Sequence, residues 1–277
     1  MTISWYPGHM HKARKELQKL MSSVHVTIEV LDARTPYASS NPVLTAIRGD
    51  TPCIKILNKS DLAIAEVTAA WQHYFNQQER VICLRNGLEE PLSLDRVLTA
   101  AGRLLQTSEK SQTGAKQLVI AGIPNVGKST LLNQFAQRKL AKTGNEPAIT
   151  RSQQRIKLAD GWYLIDTPGL LWPRLEDQQA AARLACTGTI RNTAVAAADI
   201  AWFAAELLLK DYRAALETRY GIDSGIVNPE ELLDFIGKKR GSLGRGGVPD
   251  LQKTAELLLN DFRSGKLGRL SLESPPG

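Results

Sequence analysis

Gly122-Ile123-Pro124-Asn125-Val126-Gly127-Lys128-Ser129 is a complete G-x-x-x-x-G-K-S pattern. Such a loop cradles phosphate with converging backbone N–H groups and the N-terminus of the helix that follows, so it needs a strand before it and a helix after it. Both are expected here, a strand over 117–121 and a helix over 128–137. Two more patterns accompany it. Asp166-Thr167-Pro168-Gly169 lies downstream, but Asn58-Lys59-Ser60-Asp61, an N-K-x-D pattern, lies upstream of both. The parts of a guanine-nucleotide site are present in rotated order. Domain termini often lie close together, so joining the old ends and cutting elsewhere can preserve a sheet. The polar stretch 107–116, with Gly114, is the expected joint.

Each pattern assigns roles. Asn125, Val126, Gly127 and Thr130 belong to the phosphate cradle. Lys128 is expected to reach the β- and γ-phosphates and Ser129 to ligate Mg²⁺. Asp166, at a strand end, can hold Mg²⁺ directly or through water, and the Gly169 N–H can bond the γ-phosphate. Thr150, between the phosphate loop and Asp166, is the candidate to complete Mg²⁺ coordination. Asp61 explains the base: a carboxylate accepts from guanine N1–H and the 2-amine together, whereas adenine would leave it unpaired. Asn58 is expected to hold the base edge and anchor the loop, with the Lys59 stem over the ring.

Strands are expected over 24–31, 53–57, 81–84, 117–121, 156–158 and 162–165, alternating with helices over 65–76, 92–105 and 128–137. That alternation implies an α/β fold with a mainly parallel sheet. After about residue 178 the strand signals stop. The expected division is a permuted nucleotide-binding domain at 1–178 and a small all-α domain at 179–277. A first helix over 9–22 carries an apolar stripe (Met10, Ala13, Leu17, Leu20, Met21) and a basic one (Lys12, Lys15, Lys19).

The net charge is +7 over 277 residues, which favours a polyanionic partner. Cys53, Cys83 and Cys186 form no C-x-x-C pair and read as buried free thiols. The most apolar run, 195–209, is broken by Asp199 and Glu206, so no membrane span is expected. The start has no apolar signal-peptide core.

Taken with Trp5-Tyr6-Pro7-Gly8-His9-Met10, Asp32-Ala33-Arg34-Thr35-Pro36, Trp172-Pro173 and Lys238-Lys239-Arg240-Gly241, these patterns resemble the circularly permuted GTPases of ribosome assembly. Within them the chain is most similar to the ribosome biogenesis GTPase A, or YlqF, type. The resemblance runs nearly end to end. It implies a cytoplasmic GTPase acting in late maturation of the large ribosomal subunit and contacting its rRNA. A monomer that binds no membrane is expected.

Leu170 stands where small GTPases place a water-orienting glutamine, so hydrolysis is expected to be slow alone and stimulated by ribosomal particles. His9 either accepts from the attacking water or is a structural residue capping the first helix. Asn125 either holds a K⁺, as in related N-V-G-K-S loops, or is a turn residue. Lys238, Lys239, Arg240 and Arg245, in a glycine-rich basic stretch, are either rRNA contacts or a solvated loop. Two other functions stay open: a GTP-gated RNA-binding scaffold that hydrolyses only to reset, and a small-subunit assembly GTPase.

Overall fold

A computed structural model describes residues 8–106, 114–136, 154–167, 177–189 and 197–276, with backbone alone at 8–13, 154 and 245. In chain order the first part runs α1 (Gly8–Leu20), β1 (Val26–Asp32), α2 (Pro36–Ser39), α3 (Pro42–Arg48), β2 (Cys53–Asn58), a 3₁₀ turn (Ser60–Leu62), α4 (Ala65–Asn76), β3 (Val81–Asn86), α5 (Leu94–Gln106), β4 (Lys116–Ala121), α6 (Lys128–Ala136), β5 (Gln154–Lys157) and β6 (Trp162–Asp166).

The strands form one sheet in the order β3-β2-β1-β4-β6-β5. All neighbours are parallel except β5, which pairs antiparallel with β6 at the edge. The chain steps outward from β1 to β3, then returns to lay β4 against the other side of β1. That reversal is the topological switch point, beside which open α/β sheets bind ligands. It brings the turns after β1, β2 and β4, and the end of β6, to one end of the sheet. Every residue of β1 and β2 is buried, which is why both read as near-continuous apolar runs. The charges among them face each other: Glu29 is in register with Lys55, and the two form a buried ion pair. Glu29 also accepts from the Asn41 N–H at 2.9 Å, and Lys55 donates to Ser40 Oγ at 3.1 Å. The pair thereby pins the link between α2 and α3.

Sequence reasoning assigned neither α2 nor α3. Four and seven residues are too few to display a 3.6 period, though each starts on a proline at its N-terminus.

The remaining elements are α7 (Gln178–Cys186), α8 (Ala197–Asp211), α9 (Arg213–Tyr220), α10 (Pro229–Arg240), a 3₁₀ turn (Arg245–Gly247) and α11 (Leu251–Arg263). Asp177, Asn228 and Asp250 cap α7, α10 and α11 by accepting backbone N–H groups. Helix α8 presents buried Ala197, Ala201, Ala204 and Ala205, short side chains that let neighbouring helices approach closely. No helix among the described residues is long and apolar enough to cross a membrane.

The chain divides into two compact units, one comprising Glu176–Leu270 and the other Ser4–Leu175 together with Ser271–Gly277. The expectation that everything from 179 to 277 forms the helical domain is therefore corrected at the C-terminus. The tail returns to the nucleotide unit because that unit supplies partners for its backbone: Leu272 N–H donates to the Arg34 carbonyl at 2.8 Å, and the Glu273 carbonyl accepts from Trp71 Nε1 at 3.2 Å.

Candidate nucleotide site

The base side grows from the end of β2. Lys59 adopts a left-handed backbone (φ 59°, ψ 37°) that turns the chain into the 3₁₀ segment carrying Asp61. Asn58 Nδ2 donates to the Val126 carbonyl at 2.7 Å, and Lys59 Nζ donates to the Asn125 carbonyl at 2.9 Å. Two consecutive residues of the upstream pattern thus hold the phosphate loop. Asn58 bonds the loop through its side-chain amide, and Lys59 through its ammonium. Gly127 shows how tight this junction is. Its φ is +99°, and a Cβ there would lie 2.2 Å from Asn58 Nδ2, so no side chain fits.

Asp61 is half-buried. Its Oδ1 accepts from the Leu88 N–H at 3.0 Å, and a Cβ on Gly87 would come within 2.8 Å of the same oxygen. The turn after β3 therefore backs the carboxylate. Asn86 fixes that turn: its Nδ2 donates to Asn58 Oδ1 at 2.6 Å, while its Oδ1 accepts from the Leu92 N–H at 2.8 Å and from Gln134 Nε2 at 3.2 Å. One buried amide thus ties β3, the base loop and α6 together. The Asn-Gly pair at a strand end was the available sequence signal for it.

On the phosphate side Asn125 has a left-handed φ of 60°, a conformation asparagine tolerates well. Val126 is buried, Ser129 is half-buried and Thr130 is exposed. Lys128 is buried, and its Nζ donates to the carbonyls of Gly122 at 3.1 Å and Ile123 at 2.9 Å. Burial pushes its pKa down to about 8, against the opposing pull of the nearby Asp166 carboxylate. Asp166 is buried at the end of β6, and the adjoining Thr167 Oγ1 donates to the Ile120 carbonyl at 2.8 Å.

Behind both sides stands a cluster that sequence reasoning did not assign. Asp32, at the end of β1, accepts from Arg34 Nε at 2.9 Å, Arg34 Nη2 at 2.8 Å, the Arg34 N–H at 3.1 Å and Lys59 Nζ at 3.0 Å. Burial alone would raise the Asp32 carboxyl, but the Arg34 and Lys59 cations hold it well below the usual carboxylate range. Lys59 therefore spans Asp32 and the Asn125 carbonyl, linking β1, the base loop and the phosphate loop. The D-A-R triplet was visible in the sequence, but that its two charges meet Lys59 was not.

This assembly can seat a guanine nucleotide with its base toward Asp61 and its phosphates toward 122–129. Comparisons with known proteins agree. A family model described as 50S ribosome-binding GTPase matches residues 117–218. The ribosome biogenesis GTPase A of Bacillus cereus is 39% identical over 280 residues, covering 99% of this chain and 95% of that one. Its counterpart from Thermotoga maritima is 32% identical, with 99% and 95% covered. The GNP-bound structure of YlqF from T. maritima superposes with a TM-score of 0.66 at 28% identity, covering 95% of this chain and 98% of that chain. This chain belongs to the ribosome biogenesis GTPase A family.

Mg²⁺ suits the donor set present, a Ser129 hydroxyl and the Asp166 carboxylate. Mg²⁺ typically takes one or two hard protein oxygens and completes its shell with phosphates and water. Among the described residues no group of three or more His, Cys, Asp or Glu could hold a metal by itself. Thr150 and Gly169 lie outside the described residues. His9 is the second residue of α1, and its side chain lies outside them too.

The proposed RNA residues belong to the helical unit. Lys238, Lys239 and Arg240 form the last turn of α10 and are exposed. They are not all bare charges. Lys238 pairs with Asp234 at 2.6 Å, Lys239 lies over the Phe235 ring at 5.4 Å, and Arg240 Nη2 donates to the Arg219 carbonyl at 3.2 Å. Arg245 opens the following 3₁₀ turn, and its side chain lies outside the described residues. The three cysteines are buried free thiols, as expected.

Proposed function

We propose that this protein binds GTP and GDP, hydrolyses GTP, and acts in late maturation of the large ribosomal subunit, gripping rRNA more tightly with GTP than with GDP. The carrying observation is the double hydrogen-bonded junction of Asn58 and Lys59 with the Val126 and Asn125 carbonyls, which welds a base reader to a phosphate cradle despite their rotated order. The names borne by the relatives and the family model support the ribosomal role.

In this reading Lys128 neutralises the β- and γ-phosphates, while Ser129, Thr150 and Asp166 serve Mg²⁺. Thr130 and the Gly169 N–H add contacts to the phosphates. His9 and a K⁺ at Asn125 are the candidates for accelerating hydrolysis, and Leu170 makes the isolated protein slow. Lys238, Lys239, Arg240 and Arg245 contact the RNA backbone. The protein works as a cytoplasmic monomer. Leu170 equally favours a second reading, a GTP-gated scaffold whose hydrolysis only resets it; turnover with and without ribosomal particles separates the two.

Competition binding against fluorescent GDP tests the first step. GDP and GTP are expected to bind at least about a hundredfold tighter than ADP and ATP; comparable adenine affinity would reject the assignment. Co-sedimentation with immature large subunits tests the second. A GTP analogue should tighten binding relative to GDP, and neutralising Lys238, Lys239 and Arg240 together should flatten its salt dependence. Equal binding in both nucleotide states rejects the switch.

A further inference from the structure

The last residues of the chain meet the nucleotide unit at chosen points. Ser271 Oγ accepts from the Ile64 N–H at 3.1 Å, the residue at which the base loop passes into α4. Ile64 occupies the N-cap of α4 without a side-chain cap of its own, so the tail fixes a helix start that its own sequence leaves unsecured. Leu272 N–H donates to the Arg34 carbonyl at 2.8 Å. Glu273 Oε1 accepts from the Ala38 N–H at 3.0 Å, and the Glu273 carbonyl accepts from Trp71 Nε1 at 3.2 Å. Leu272 is buried. Three residues thus bridge the segment after β1, which carries the Arg34 partner of Asp32, and the segment after the base loop.

We infer that Ser271, Leu272 and Glu273 form a clasp that positions the guanine-reading loop, a reading that rests on guanine nucleotides being the ligand. Asp61 is held from one side by Leu88 and from the other by the chain running through buried Ala63 to Ile64. The clasp fixes that second side. It also fixes Arg34, whose guanidinium sets Asp32 and through it the Lys59 ammonium. The clasp's hydrogen bonds run to Ile64, Arg34, Ala38 and Trp71, around the base loop and the end of β1, so its release should loosen recognition of the base more than that of the phosphates. The residues just before the clasp belong to the helical unit, so the same chain end that leaves that unit secures the base loop.

Inosine nucleotides make the test, because inosine lacks the 2-amine that Asp61 accepts from. Affinities of the full chain for GDP and IDP are measured for the native protein, for S271A/E273A, and for E273Q, which keeps an acceptor oxygen. The double variant should lose roughly three- to tenfold in GDP affinity and clearly less in IDP affinity, so that the GDP-to-IDP preference shrinks. E273Q should stay near the native values. Unchanged GDP affinity in the double variant would overturn the clasp. So would equal losses for GDP and IDP, which would mark the tail as a general stabiliser. If the double variant melts early, S271A alone decides by the same ratio. A native chain that failed to prefer GDP over ADP would reject the guanine reading itself, and the clasp with it, a result distinct from a silent variant.

Discussion

Asp32 in the nucleotide unit and Asp261 in the helical unit are both buried and both gripped by one arginine and one lysine. Their surroundings differ. Arg34 beside Asp32 is only 2% exposed and forks across both carboxylate oxygens. Arg219 beside Asp261 is 28% exposed and Lys266 is 57% exposed, while the Tyr220 hydroxyl donates to the same carboxylate at 3.0 Å. In the first cluster the Asp32–Arg34 pair is closed off from water, while Lys59 is 26% exposed. The second opens onto solvent, which can replace a lost partner. Charge pairs that look alike on paper therefore do different work: the closed one fixes loops to one another, and the open one fastens α9 to α11 beside a basic surface.

Asp32→Asn would break the comparison most directly. It removes the carboxylate paired with the buried Arg34 guanidinium, a defect costing roughly 3–5 kcal/mol. The expected result is a large drop in the melting temperature of the nucleotide unit and at least a tenfold loss of GDP affinity, read by calorimetry and GDP titration. A variant as stable as the native chain would show that water reaches the cluster. Asp261→Asn should cost less, about 1–2 kcal/mol, because Arg219 and Lys266 can turn to solvent. Both carboxyls are held low in the folded chain, Asp261 against its burial by Arg219, Tyr220 and Lys266. Their stabilisation is thus present above the unfolded carboxyl pKa of about 4 and is lost as pH falls through the folded values. An acid titration followed by hydrogen exchange should see the helical unit loosen first.

Lys128 sharpens the contrast from the other sign. Its pKa of about 8 belongs to a buried cation bonded, among the described residues, to carbonyls of its own loop and near Asp166. Phosphate should raise that pKa on binding, so GDP affinity is expected to fall by up to about tenfold per pH unit above pH 8. Lys128→Ala should abolish the slope while weakening binding at every pH; a persistent slope would assign the titration to another group. The smallest effect is expected at the surface. Lys238→Ala removes an exposed i,i+4 pair with Asp234 worth no more than about 0.5 kcal/mol. A thermal melt should barely move, so any loss of particle binding in that variant reports contact and not folding.

Much of the fold and site was readable from local patterns. A phosphate loop demands a strand before it and a helix after it, and 117–121 and 128–136 supplied them. The N-K-x-D residues could be placed on one turn because their spacing alone fixes which turn they occupy. Helices α2, α3 and α9 escaped because short helices show no period. The Asn86 hub, the Asp32–Arg34–Lys59 cluster and the return of the tail escaped because each depends on residues brought together from different turns.

The sequence by itself determined the ligand class, the family and the alternation of strands and helices, since these follow from short spacings and from apolar runs that any observer of the chain can count. Only the tertiary structure decided how the rotated pieces are fastened. Parallel pairing sets β1 between β2 and β4, and that register alone brings Lys59 within reach of both Asp32 and the Asn125 carbonyl. It also decided that Ser271–Gly277 leaves the helical unit and secures the base loop, because a backbone N–H and a hydroxyl carry no sequence signal of the partner they will find.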